Sequence, residues 1–309
     1  MQGNGYKKLF EISLAEFSLA ESLNTGKLDH LDFPAKAKND FGINAVEYVS
    51  GFWQHKATDY LYLKELKKRT DDIGVRNVLI MVDEEGLLGA SNAKERSNAV
   101  ENHYKWIDAA KYLDCLAIRV NIDGDGSPAE IMNAAINGYG KLLEYAAKQN
   151  IHVLIENHMT ISTDPAWLSE LLRQINHPFA GALPDFGNFT QHELTGEISI
   201  EAFKNSRVVA QHDKYDAVKK LMPFTKAISA KTISFDADGN CTDTDYQKMM
   251  TIVKEGLTEI FLGYIGIEYG GYFMKMIGDK GNYFSEDDAI RATKKLLEKS
   301  LTSDIKFAD

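Results

Sequence analysis

The chain has 309 residues, of which 44% are hydrophobic and 26% are charged, and its formal net charge is −10 at pH 7. These proportions are those of a soluble globular protein. The negative charge argues against a protein that neutralises many phosphates, so we expect no nucleic-acid partner. Because no run of 18 or more apolar residues is present, we predict no membrane span.

The two cysteines, Cys115 and Cys241, lie far apart and form no C-x-x-C pair. No disulfide framework is therefore predicted, and two reduced thiols fit a reducing compartment. The first residues lack the apolar segment of an export signal. We expect a cytoplasmic location, although a signal that had been removed would leave the same sequence. The sequence leaves a homo-oligomer open.

Apolar strand-like runs alternate with amphipathic helical patterns along the chain. The predicted strands are 9–14, 45–49, 78–82, 115–121, 152–156, 181–183, 227–234 and 260–268. The predicted helices are 33–41, 60–73, 95–112, 129–148, 165–175, 215–221, 245–255 and 286–299. Eight strictly alternating units of this kind close into a barrel of parallel strands.

The predicted fold class is therefore α/β, a single (β/α)8 TIM barrel. No Pro- or Gly-rich linker divides the chain, so residues 1–309 are expected to form one domain. A doubly wound open sheet is the alternative. It is disfavoured because no Gly-x-Gly-x-x-Gly or Walker sequence follows any predicted strand.

Three carboxylates, Glu156, Asp185 and Glu268, stand at or just beyond the ends of predicted strands. In a barrel, the carboxyl ends of all strands meet at one mouth, where active sites are built. Three acids on three such strands therefore predict one charged cluster.

Other polar residues are expected to face the same mouth. Because strand side chains alternate between two faces, His158 shares a face with Glu156, and Lys231 shares one with Ser229. Arg119 and Glu47 lie near the ends of two earlier strands. Burying such groups unpaired would cost several kcal/mol each, so they must neutralise one another, hold a cation, or contact water and ligand.

Several segments resemble the xylose-isomerase-like TIM-barrel superfamily of sugar-phosphate isomerases and epimerases, which also includes the endonuclease IV type. They include Glu156-Asn-His158, Leu183-Pro-Asp-Phe-Gly-Asn-Phe189, Ala227-Ile-Ser-Ala-Lys231, Phe235-Asp-Ala-Asp-Gly239 and Gly263-Tyr-Ile-Gly-Ile-Glu-Tyr-Gly270. The opening Ser13-Leu-Ala-Glu-Phe-Ser-Leu19 belongs to the same pattern. The resemblance covers nearly the whole chain.

The resemblance implies a divalent metal held by Glu156, Asp185 and Glu268. Relatives have a histidine where this chain has Ser229, and Asn188 replaces the histidine of their Asp-x-x-His pattern. Three carboxylates suit Mg²⁺ or Mn²⁺, whereas the loss of imidazole argues against Zn²⁺. His158 or water would complete the coordination.

The implied activity is isomerisation or epimerisation of a small sugar, sugar phosphate or keto acid. Glu156 and Glu268 would transfer a proton through an enediolate, with the metal polarising the carbonyl. The side chains expected to contact the substrate are His158, Lys231, Asn188, Arg119, Glu47 and Ser229.

Two alternatives stay open: a lyase or dehydratase acting at the same site, and a barrel that binds a sugar without converting it. The endonuclease IV type is disfavoured, because those enzymes use several histidines around zinc. Trp53 and His55 are weaker candidates for the mouth, and His103 is expected at the surface.

Overall fold

The computed structural model describes residues 10–193 and 200–301. The barrel strands are β1 (Glu11–Ala15), β2 (Ala45–Val49), β3 (Arg76–Met81), β4 (Ala117–Val120), β5 (His152–Glu156), β6 (Ala180–Leu183), β9 (Ile228–Thr232) and β10 (Tyr264–Tyr269). These eight strands are parallel and form one sheet in the order β6-β5-β4-β3-β2-β1-β10-β9. With helices between the strands, this is the predicted (β/α)8 barrel.

Eight of the eleven α-helices in the described residues lie where the amphipathic patterns predict them. They are α1 (Ala20–Asn24), α2 (Phe33–Phe41), α3 (Tyr60–Ile73), α4 (Ala93–Tyr112), α5 (Pro128–Gln149), α6 (Pro165–Ile175), α7 (Ile200–Lys204), α8 (Lys214–Leu221), α9 (Tyr246–Gly256), α10 (Gly271–Met276) and α11 (Glu286–Leu301). Helix α5 begins with a capping box, in which Ser127 and Glu130 satisfy each other's backbone N–H groups. Among the described residues, no helix has both the length and the apolarity needed to cross a membrane.

The barrel closes between β6 and β9 through isolated bridges rather than a continuous ladder. These bridges pair Ala182 with Thr225 and Asp185 with Ser229. The interruption has a local cause, because Pro184 follows β6 and has no N–H to donate. The Ser229 N–H instead donates to the Pro184 carbonyl at 2.9 Å. The two ends of the sheet therefore meet at the segment that carries Asp185.

One prediction was wrong: strands and helices do not alternate strictly. Strands β7 (Thr190–Glu193) and β8 (Arg207–Gln211) form an antiparallel hairpin after β6, and they lie outside the barrel sheet. The strand β7 is polar, and the apolar run Val208-Val209-Ala210 of β8 is largely exposed, so neither is buried in the way a barrel strand is. The short helices α1, α7 and α10 were also not predicted.

The apolar side chains form two layers separated by the strands. The inner layer fills the barrel and includes Ala15, Met81, Leu154 and Leu183. The outer layer packs the strands against the helices. Residue 9 of the predicted strand 9–14 lies outside the described residues, as do residues 1–8. The assignment of residues 1–309 to one domain stays a prediction.

Candidate active site

Three carboxylates converge at the mouth formed by the strand ends. Glu156 is the last residue of β5, Glu268 lies near the end of β10, and Asp185 follows β6 by two residues. All three are buried, and one oxygen from each lies within 4.8 Å of the others. The cluster expected from the sequence is thus present in the fold.

Strand alternation and register bring the other polar groups to the same place. Glu268 pairs with Lys231 across β10 and β9. Two residues earlier, Gly266 pairs with Ser229 in the same ladder. Because residues two apart share a face, Ser229 and Lys231 point into the barrel beside Glu268.

Two cations, the buried Arg119 and the partly buried Lys231, offset part of the negative charge of the carboxylates. The Lys231 Nζ lies 2.7 Å from Glu268 Oε1 and 3.4 Å from Asp185 Oδ2. On the other side, Arg119 Nε lies 2.7 Å from Glu156 Oε2. The two groups form an ion pair, but the angle at the N–H is not that of a hydrogen bond. The Arg119 Nη1 also donates to Asp83 Oδ1 at 2.6 Å.

Ser229 on β9 bridges two carboxylates. Its Oγ lies 2.9 Å from Asp185 Oδ2 and 2.8 Å from Glu268 Oε2. A hydroxyl has one hydrogen, so it donates to only one of them at a time. At the other contact, the Ser229 oxygen and a carboxylate oxygen are both acceptors. That contact is unfavourable unless a proton or a cation lies between the two oxygens.

Asn188 contributes two further hydrogen bonds to the cluster. Its Nδ2 donates to Glu156 Oε1 at 2.9 Å. Its backbone N–H donates to Asp185 Oδ1 at 3.0 Å, beside the Gly187 N–H at 2.7 Å. The backbone N–H groups of Gly187 and Asn188 therefore hold the Asp185 carboxylate, and the Asn188 side chain reaches Glu156.

Glu47 lies one layer deeper, under the cluster. The Ser13 hydroxyl donates to Glu47 Oε1 at 2.5 Å. The other oxygen, Oε2, is buried without a hydrogen-bond partner among the described residues. A Cβ at position 266 would lie 2.5 Å from that oxygen, so Gly266 provides the space that Glu47 occupies.

The three carboxylates differ in electrostatic environment. Burial raises the pKa of Asp185 to about 7, although the nearby Lys231 ammonium opposes the shift. Burial likewise raises the pKa of Glu156, against the effect of Arg119. For Glu268, burial acts in the same direction, but the contacts with Lys231 and Ser229 outweigh it and lower the pKa.

The environment also determines the protonation states of the groups around the three carboxylates. Burial opposes the charged forms of Lys231 and Arg119, yet their carboxylate partners raise both pKa values. Burial, and then the Arg119 charge, lower the pKa of His158, so its imidazole is neutral at pH 7. Burial raises the pKa of Glu47 to about 8, so this carboxyl is mainly protonated.

Some residues around the mouth were missed in the sequence. Asp83 pairs with Arg119 and accepts from Asn121 Nδ2 at 2.7 Å. It comes directly after the predicted strand 78–82, so the strand-end rule would have found it. The Phe17 ring lies 5.7 Å from Lys231 Nζ, and no pattern in the sequence indicated that contact.

Three weaker predictions have different outcomes. Trp53 is buried and packs against the rings of His30 and Trp106, whereas His55 is exposed. His103 was expected at the surface, but this was wrong. Its side chain is buried on α4, with Nδ1 2.7 Å from the Ala99 carbonyl.

A further buried carboxyl, that of Glu16, follows β1. We call Glu16, His30 and Tyr62 the Glu16 cluster. Glu16 Oε2 accepts from the Val49 N–H at 2.9 Å, and its Oε1 lies 3.4 Å from His30 Nε2. The His30 Nδ1 lies 2.6 Å from the Tyr62 hydroxyl. Burial raises the pKa of Glu16 well above its ordinary range and lowers that of His30 to about 3. Burial therefore favours the neutral form of both groups at this contact.

The chain resembles several solved structures in fold. A D-tagatose 3-epimerase-like protein is 18% identical, with a TM-score of 0.65 and coverage of 94% of this chain and 97% of that one. The probable 3-DHS dehydratase AsbF of Bacillus anthracis is also 18% identical, with a TM-score of 0.62 and coverages of 93% and 98%. The IOLI protein, solved with a zinc atom, is 14% identical, with a TM-score of 0.62 and coverages of 96% and 100%.

At these identities the structural likeness shows the fold alone. No curated protein matches the sequence significantly. A family model described as the xylose isomerase-like TIM barrel matches residues 35–255, which is more than half of the chain. The chain therefore belongs to the xylose isomerase-like TIM-barrel family.

Proposed function

We propose that this protein is a metal-dependent isomerase or epimerase of a small sugar, sugar phosphate or keto acid. The observation that carries the proposal is the convergence of Glu156, Asp185 and Glu268 from three strands, with oxygens within 4.8 Å of one another. Buried carboxylates gathered at the mouth of a barrel suit chemistry on a small polar molecule.

The donor set fits a hard divalent cation. Four carboxylates, those of the trio and Asp83, face the two cations Arg119 and Lys231. When all four are ionised, two negative charges stay uncompensated, and a divalent cation carries the matching charge. Oxygen donors favour Mg²⁺ or Mn²⁺ over Zn²⁺, since no imidazole stands at position 229.

When bound, the cation would polarise a substrate carbonyl and acidify the adjacent C–H. Glu156 and Glu268 would move the proton, on opposite sides of the substrate. Their environments differ, because Lys231 and Ser229 stabilise the ionised form of Glu268, whereas burial favours the protonated form of Glu156. Such a difference is typical of an acid and base pair. We therefore assign Glu268 the role of base, because its ionised form is favoured, and Glu156 the role of acid, because its protonated form is favoured.

The neighbouring side chains have hydrogen-bonding capacity left for a substrate. Lys231 Nζ has three N–H groups and makes two bonds among the described residues. Asn188 Nδ2 uses one of its two N–H groups on Glu156. We assign these two, with Arg119, His158 and Ser229, to substrate binding, and Glu47 to the layer below.

The proposal also includes a cytoplasmic location and no nucleic-acid partner; it leaves the oligomeric state open.

Metal binding is the first test. Chelator-treated protein should take up one Mn²⁺ per chain in isothermal titration calorimetry. Asp185→Asn should weaken binding by at least about 100-fold, since loss of a direct ligand should exceed the 10–100-fold typical of outer partners.

Glu16→Gln is the matched control, because Glu16 is equally buried but lies outside the trio. Its Mn²⁺ affinity should equal that of the unaltered protein. The metal assignment is wrong if the unaltered protein binds neither Mn²⁺ nor Mg²⁺, or if Asp185→Asn binds as tightly.

Catalysis is tested by exchange of solvent deuterium into D-fructose, D-tagatose and D-psicose, followed by ¹H NMR. Exchange at a carbon next to the carbonyl is expected with the Mn²⁺- or Mg²⁺-loaded protein. Glu156→Gln should slow it by about 10²–10⁴-fold, the range of general acid–base catalysis. Binding of a sugar without exchange for any member of a wider panel of sugars, sugar phosphates and keto acids would instead favour the non-catalytic barrel.

A lyase or dehydratase is the second candidate, and His158 is the observation that favours it. This neutral imidazole comes two residues after Glu156 and lies within the electrostatic influence of Asp83 and Asp123. It could accept a proton that the two glutamates do not handle. Loss of water from a hydroxylated keto acid, seen as a new ultraviolet absorbance, would distinguish this reaction from epimerisation.

A further inference from the structure

Asn157 lies in the sequence between Glu156 and His158, but its side chain bonds to neither of them. It is 0% exposed, and its amide bonds to the backbone of the segment that follows β6. A residue so placed cannot touch a substrate. Any effect it has on the site passes through the residues it holds.

The segment after β6 needs an external hydrogen-bonding partner. The regular β5–β6 ladder ends at the pair of Glu156 with Leu183, and Pro184 then offers no N–H. The Asp185 N–H donates to Asn157 Oδ1 at 2.8 Å, and Asn157 Nδ2 donates to the Asp185 carbonyl at 3.0 Å. The asparagine side chain thus replaces the missing ladder bonds at Asp185.

The second N–H of the same amide extends the clamp. It donates to the Asn188 carbonyl at 2.8 Å, while the Asn188 side chain donates back to Glu156 Oε1 at 2.9 Å. Glu156 and Asn157 are joined by a peptide bond, so these contacts form a closed ring. The ring ties the Glu156 carboxylate to the turn that carries Asp185.

We propose that Asn157 is the positioning residue that sets the separation of the Glu156 and Asp185 carboxylates, and thereby the affinity of the site for a divalent cation. The inference rests on the proposed metal site. Both N–H groups and the carbonyl of the amide are used, so only asparagine fits the full pattern of donors and acceptors. Aspartate has nearly the same shape but would set an oxygen against two carbonyl oxygens.

Asn157→Asp is therefore the informative change. Mn²⁺ affinity, measured by calorimetry on folded protein, should fall by about 10–100-fold, as for loss of an outer partner of metal ligands. The electron paramagnetic resonance spectrum of bound Mn²⁺ should also change, because two ligands move relative to each other.

Asn77 on β3 supplies a matched control. It is buried, accepts from the Tyr48 hydroxyl at 2.6 Å, and donates to the Leu113 carbonyl at 2.9 Å and Thr70 Oγ1 at 3.2 Å. None of these partners belongs to the candidate site. Asn77→Asp makes the same chemical change and should leave Mn²⁺ affinity and the spectrum as they are.

Three results would overturn the positioning role: unchanged affinity in Asn157→Asp, an equal loss in Asn77→Asp, or an unchanged Mn²⁺ spectrum. If Asn157→Asp does not fold, Asn157→Ala removes the bonds without adding charge and is compared with Asn77→Ala. If the unaltered protein binds no Mn²⁺, the proposed metal site fails on its own. Crystal structures then decide the positioning role. A shift of the Asp185 carboxylate by more than about 0.5 Å from Glu156 supports it, and an unmoved carboxylate rejects it.

Discussion

The trio at the mouth and the Glu16 cluster bury carboxyl groups equally deeply, but their neighbours differ. At the mouth, Lys231 and Arg119 lie within ion-pair distance of the acids. In the Glu16 cluster, the nearest titratable partner of the acid is His30, at 3.4 Å. One region holds charges and the other holds neutral groups.

This difference shows what burial does with and without a counter-charge. Without one, desolvation raises the pKa of Glu16 and lowers that of His30, so each is shifted toward its uncharged form. With one, the ionised form of Glu268 is favoured although the side chain is buried. A site for a cation needs the second arrangement, whereas the first suffices to hold β1 and β2 together through the Val49 N–H.

Removing a counter-charge should produce the larger effect on stability. Lys231→Met leaves Asp185 and Glu268 buried without their cation. The free energy of unfolding of the metal-free protein should fall by about 3–5 kcal/mol at pH 7, the cost of breaking a buried ion pair. Urea unfolding followed by circular dichroism measures the loss.

Glu16→Gln provides the contrast for that measurement. A glutamine carbonyl can accept from Val49 N–H, and its amide can face His30, so the neutral cluster is nearly preserved. The expected loss is below about 1 kcal/mol. The comparison breaks down if both variants lose similar stability, because Glu16 would then also be held as a charge.

A smaller effect is expected from Glu47 through pH. Its pKa in the folded protein is about 8, above the ordinary 4.5, so the folded state binds the proton more tightly than the unfolded state. The stability from this group is complete below about pH 4.5 and is lost as pH rises through about 8. Between about pH 5.5 and 7, it should decline by about 2 kcal/mol.

Glu47→Gln removes this titration. The unfolding free energy of the metal-free variant should therefore fall less between these two pH values than that of the unaltered protein. Parallel pH curves for the two proteins would mean that Glu47 keeps an ordinary pKa. The interpretation of Glu47 as a protonated carboxyl under the cluster would then be abandoned.

The barrel and the trio could be predicted because both depend on short-range patterns. Apolar runs mark the strands, and an acid at a strand end leaves a local trace, as at Glu156 and Glu268. The β7–β8 hairpin could not be predicted, since β7 reads Thr-Gln-His-Glu and has no buried face. The bonds of Asn157 were also invisible, because a side chain that satisfies a distant backbone leaves no periodic signal. The contacts by which Ser229 bridges two carboxylates could not be predicted either. They depend on distances among β9, β10 and the segment after β6.

The space beneath the cluster links the evolutionary histories of two strands. Gly266 has no Cβ, and the carboxyl of Glu47 fills the volume that a Cβ would take. Any side chain at position 266 thus requires that residue 47 first become shorter or turn away. A shorter residue 47 would leave a gap beside Ser13, and a larger side chain at position 266 on β10 could then fill it. Substitutions at the two positions are therefore expected in a preferred order, with position 47 changing before position 266.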